Sequence, residues 1–75
     1  MQNRKFQLRG EFIELDHLLK IEGVSSSGGE AKMLVAAGKV KVNGAVELRK
    51  SCKIRAGQRV ETGEVQIDVL AAAKE

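Results

Sequence analysis

The sequence predicts an α+β domain, with two short helices in the N-terminal half packed on a small antiparallel sheet. Three observations predict it. Apolar residues recur at helical spacing from Leu15 to Val35, and the period then switches to two in KVKVNGAVEL. Within that run Asn43-Gly44 is the preferred pair for a tight type I′ hairpin turn.

The elements follow in order. Phe6 and Leu8 alternate with polar neighbours and suit a brief N-terminal strand. Leu15, Leu18, Leu19 and Glu22 keep helical spacing, Asp16 suits a first turn, and Gly23 suits the position just past the helix end. Ser27 and Glu30 form S-x-x-E, a capping box in which the serine oxygen and the glutamate side chain each satisfy a backbone donor. Ala31, Leu34 and Val35 then face inward on a second helix, which Gly38 ends. In the hairpin, Val40 and Val42 alternate with Lys39 and Lys41, and Val46 and Leu48 continue on the far side of the turn. Burying the valines obliges the two lysines to project together into solvent. Further strands are expected at KIR, RVE and EVQIDV, with turns at AGQ and TG.

Composition limits what such a domain does. Seventy-five residues make one domain, and a chain of this size buries only about 60 to 65% of its unfolded surface, so its core is thin. A deep catalytic cleft is not expected. Cys52 has no second cysteine to pair with, and one histidine gives no zinc-ligand cluster, so neither disulfide nor metal nor other cofactor is expected. The charged start, MQNRKFQLRG, lacks a signal-peptide pattern, and no apolar run approaches membrane-spanning length. The expectation is a cytoplasmic monomer with no membrane partner.

The net charge is only +3, but it is unevenly spread. Lys39, Lys41, Arg49, Lys50, Lys53, Arg55 and Arg59 oppose Glu47 alone in the middle of the chain, whereas acids prevail from 11 to 38 and again after 60. The basic stretch is either a solubilising face or the footprint of an anionic partner.

The run LDHLLKIEGVSSSGGEAKMLVAAGKVKVNG resembles the RNA-binding domain first seen in small-subunit ribosomal protein S-four, also called the alpha-L motif. Leu15, Asp16, Leu19, Gly23, Ser27, Ala31, Lys32, Leu34, Val35, Gly38, Val40, Val42, Asn43 and Gly44 stand at matching positions. The core motif spans about residues 13 to 62, and the chain looks most like small free-standing bacterial members. Two positions depart from the pattern: Gly28 stands where arginine is common, and Lys32 replaces an arginine, losing the planar bidentate fork. The resemblance implies binding of structured RNA, ribosomal RNA or a precursor, with a ribosome or protein partner in addition. It places the surface at Ser27, Gly28, Gly29 and Lys32 and on Lys39, Lys41 and Asn43, with Arg49, Lys50, Lys53 and Arg55 extending it. These would be phosphate and sugar contacts, and Asn43 is also demanded by the turn itself.

Gly28 and Gly29 open the second helix, where each costs roughly 0.8 to 1 kcal/mol against alanine in a helix interior. Either the absent side chains let a phosphate reach the free amides of the helix start, or they let the chain turn between packed helices. Glu30 near the same amides disfavours the first reading unless it turns back to its cap.

Other functions fit less well. A helix-turn-helix reader of DNA needs base-reading side chains at the leading positions of its second helix, which here hold Gly28, Gly29, Glu30 and Met33. Phe6 and Phe12 are the only aromatic residues and suit apolar roles, so no stacking platform for single-stranded bases is expected. A small adaptor that binds an acidic protein is the alternative the same lysines allow. Catalysis is not expected, although Cys52 lies among cations that would depress its pKa, and His17 follows Asp16.

Overall fold

A computed structural model describes residues 2–72 of the chain. Its elements run β1 (Gln2–Gln7), β2 (Ile13–Glu14), α1 (Leu15–Ile21), α2 (Gly28–Ala36), β3 (Val40–Val42), β4 (Ala45–Val46), β5 (Lys53–Ile54), β6 (Arg59–Thr62) and β7 (Val65–Leu70). The main sheet has the order β1-β7-β6-β3-β4, and β2 pairs with β5 in a separate antiparallel ribbon.

The predicted architecture is present, with one difference of direction. Strands β3, β4, β6 and β7 pair antiparallel, but β1 lies parallel to β7 along its whole length, from Gln2 beside Val65 to Gln7 beside Leu70. A parallel pair needs a long crossover, and everything between residues 7 and 65 supplies it.

Alternation decides which face each residue takes. Val40, Val60 and Ile67 are fully buried on one face of the sheet, in a single apolar cluster with Leu15, Leu18 and Leu19 of α1 and Ala31 and Val35 of α2. Arg4 lies on this same inner face by register and donates through Nη1 to the Glu22 carbonyl, a cation placed at the C-terminal end of α1. Gly23, with φ +73°, turns the chain out of that helix, and Gly38, with φ +74°, does the same after α2.

The hairpin turn is as expected: Asn43 and Gly44 both have positive φ, 52° and 84°. The far strand is not. A two-residue turn pairs Val42 with Ala45 and Lys41 with Val46, so Val46 shares the outer face with Lys41. Val46 and Leu48 are therefore 53% and 63% exposed rather than buried. They cover Gly38, whose absent Cβ would sit 3.8 Å from the Val46 side chain and 3.9 Å from that of Leu48.

Candidate nucleic-acid interface

The start of α2 is open. The Ser27 hydroxyl accepts from the Glu30 amide at 3.2 Å, and the first intrahelical bond runs from the Ala31 amide to the Ser27 carbonyl. Gly28 and Gly29 lie ahead of that bond, where helix amides have no intrahelical acceptor. A Cβ at Gly28 would meet nothing within 4 Å, and one at Gly29 only the Ser27 hydroxyl at 3.9 Å. Neither glycine has positive φ. Crowding between helices and left-handed backbone, the usual demands for glycine, are both absent at these two positions.

The second half of the predicted capping box does not form. Glu30 accepts instead from the Ser26 hydroxyl at 2.8 Å, which ties its carboxylate to the loop before the helix. Ser25, in the same loop, is buried with an unpartnered hydroxyl.

The lysines divide between two faces of the sheet. Lys32 is exposed on α2, on the side of the sheet where the helices pack. Lys41 projects from the opposite face, flanked across the strands by Val46 and Glu61, with Lys39 two residues before it. The one surface that the resemblance implied, joining the α2 start and the hairpin lysines, is thus split by the alternation of β3.

Asn43 is occupied by the fold. Its side-chain oxygen accepts from the Arg59 amide at 2.9 Å, while its own amide donates to the Arg59 carbonyl at 2.8 Å. Arg59 in turn donates to Asp68 at 2.8 Å, an ion pair that raises its pKa.

The basic loop between β4 and β5 is docked on the start of α1. The Leu15 amide donates to the Cys52 carbonyl at 2.9 Å and the Asp16 amide to the Lys50 carbonyl at 3.0 Å, so the loop backbone satisfies donors that the helix cannot. Arg49 is clasped by Glu47 through Nε at 3.1 Å and Nη2 at 3.2 Å. Those bonds hold the Glu47 pKa down at about 2. Lys50 and Lys53 are exposed, and Arg55 anchors the next turn through its amide, which donates to the Gln58 side chain at 2.6 Å.

Cys52 sits immediately before β5, half-buried, and burial pushes its thiol pKa up, with the Glu47 carboxylate adding to that rise. The expected depression by neighbouring cations is overturned, because Arg49 is committed to Glu47 and its effect is outweighed. The thiol is left less ionised at neutral pH than an ordinary one, the opposite of an activated nucleophile. His17 is exposed on α1.

Sequence reasoning missed Phe12. Phe6 packs against the core as expected, but Phe12 is 41% exposed, with the Lys53 ammonium 4.9 Å and the Arg55 guanidinium 5.7 Å from its ring centre. Beside it an open groove of about 640 Å³ runs between the end of β1, β2 and α1. The ribbon that sets this geometry pairs Glu14 with Lys53, and two-residue strands leave no periodic signal by which to find it.

Comparison with known proteins places these features. A family model described as the S4 domain matches residues 6–70. The chain is 54% identical over 59 residues to YbcJ of Escherichia coli strain K12, covering 79% of this chain and 84% of that protein, and equally so to YbcJ of Shigella flexneri. The solution structure of YbcJ from E. coli, which revealed an alpha-L motif involved in RNA binding, superposes with a TM-score of 0.70 at 50% identity. It covers 89% of this chain and 86% of that one. Helix pair, hairpin turn and sequence agree, and the chain belongs to the S4 domain family, with the alpha-L arrangement at its core.

Proposed function

We propose that this protein binds structured RNA, ribosomal RNA or one of its precursors, by shape and phosphate contact. The likeness to YbcJ, whose alpha-L motif is involved in RNA binding, carries the reading. The open α2 start supports it: its first two residues are glycines with no side chain to block an anion, and Lys32 lies one turn on. Lys39, Lys41 and Lys50 are exposed, and no ion pair engages them among the described residues. Arg49 and Asn43 contribute less, since their polar atoms are already held by Glu47 and Arg59. The chain acts in this reading as a cytoplasmic binding module, a monomer without catalysis of its own, placed on the ribosome or its precursors where a protein partner is able to join it.

Crosslinking in cells followed by sequencing of the attached RNA tests this, with Lys32, Lys39 and Lys41 changed together to alanine as the comparison. Ribosomal RNA is expected from the wild type and much less from the triple variant. In vitro, the slope of log K against log salt should flatten by about 0.7 to 0.9 for each phosphate that the variant no longer neutralises. Unchanged recovery would show that these lysines are not the surface. Recovery of DNA, or of protein alone, would reject the function.

A further inference from the structure

The groove beside α1 joins features that the proposed phosphate contacts leave unused. Phe12 and Ile21 are 41% and 49% exposed, and both line it. Two large apolar side chains turned toward one groove are a costly use of surface for a domain with so thin a core. Met33 and Leu48 are also exposed, but neither lines this groove. What sets it apart is charge: Lys53 and Arg55 lie over the Phe12 ring next to the groove, though not among the residues that line it, and Arg9 and Glu14 are on the wall.

We propose that this groove receives one unpaired base of a bound RNA, stacked against Phe12, with the adjoining phosphates on Lys53 and Arg55. The site rests on the RNA-binding reading and adds to it a preference for RNA with an extruded nucleotide.

Charge complementarity selects this occupant. An apolar peptide would use Phe12 and Ile21 but would have no partner for the cations. A nucleotide combines a flat ring, which stacks on an aromatic side chain, with an anion on a short tether. About 640 Å³ lies within the usual range for small-ligand sites and exceeds what one base requires. His17 and Glu14 on the walls offer a donor and acceptors to the base edge. The β2–β5 ribbon fixes the spacing, because Glu14 pairs with Lys53 and Ile13 with Ile54, and the buried Ile54 anchors the ribbon in the core.

Two RNA hairpins, identical except for one bulged adenosine in the stem, test the proposal against the purified full-length protein. The bulged hairpin should bind about tenfold tighter, and it alone should move the Phe12 ring resonances in NMR spectra. Phe12→Ala should abolish that preference and leave affinity for the paired hairpin unchanged, and Phe12→Trp should retain it. Equal binding of both hairpins by the wild type overturns the base site and leaves RNA binding standing. Equal weakening of both by Phe12→Ala shows a ring that only positions Lys53 and Arg55, and also overturns it. Self-association that Phe12→Ala abolishes assigns the groove to a second copy and overturns it too. Binding of neither hairpin overturns this inference, and the crosslinking experiment then decides the RNA-binding reading.

Discussion

The helix pair and the segment from Glu47 to Arg59 lie against each other and are held by different forces. Leu15, Leu18, Leu19, Ala31 and Val35 are fully buried, and their packing owes nothing to charge. The segment contributes few core side chains, chiefly Ile54 and the half-buried Cys52. Its shape comes from hydrogen bonds: Arg49 to Glu47, Arg55 to Gln58, Arg59 to Asn43, and the Lys50 and Cys52 carbonyls at the start of α1. Burial of this kind contributes kilocalories per side chain, while an exposed ion pair contributes little and is screened by salt. Shape in the basic region is therefore specified locally, and stability is supplied from elsewhere.

The sharpest way to break that contrast is Leu18→Ala. It should cost about 2 to 5 kcal/mol in urea unfolding, a large share of what a domain this small possesses. A loss under about 1 kcal/mol would mean that the helix layer collapses onto the space and is not the main source of stability.

Replacing Gly28 and Gly29 by alanine probes the junction between the two regimes. With open space at both positions and no positive φ, the double variant should be more stable by about 0.5 to 1.5 kcal/mol. If RNA affinity falls in the same variant, the bare amides serve the ligand. If affinity is unchanged, phosphate does not approach there.

The smallest effect belongs to Glu47. Its folded pKa of about 2 lies below its ordinary value of 4.5. The clasp on Arg49 therefore adds stability that is complete above about pH 4.5 and is lost as pH falls through about 2. Carboxyl carbon shifts should titrate near 2 in the wild type and move toward the ordinary value in Arg49→Ala, with little change in melting temperature at neutral pH.

Much of this was legible because it is written locally. Gly23, Gly38, Gly44, Gly57 and Gly63 mark the turns that the sequence announces, each with positive φ. The Leu15, Leu18 and Leu19 stripe and the Ala31 and Val35 stripe found their helices for the same reason. Partnership between distant strands has no local mark, so the parallel pairing of β1 with β7 and the β2–β5 ribbon were not visible. Exposure of Val46 was readable by counting: a two-residue turn puts residue 46 opposite 41, on the lysine face. Phe12 was not, since its exposure depends on the ribbon. The joining of the hairpin lysines to the α2 start failed on the same arithmetic, because alternation along β3 carries Lys41 to the face opposite the helices.

The union of β1 with β7 bears on how the domain is made. Synthesis proceeds from the N-terminus, so Gln2–Gln7 leaves the ribosome long before Val65–Leu70 exists to receive it. In the interval the first strand has no partner, and its amides are open to other chains. The order of emergence leaves the last strand to close the sheet, and a chain that ended before residue 65 would leave both β1 and β6 without the neighbour that joins them.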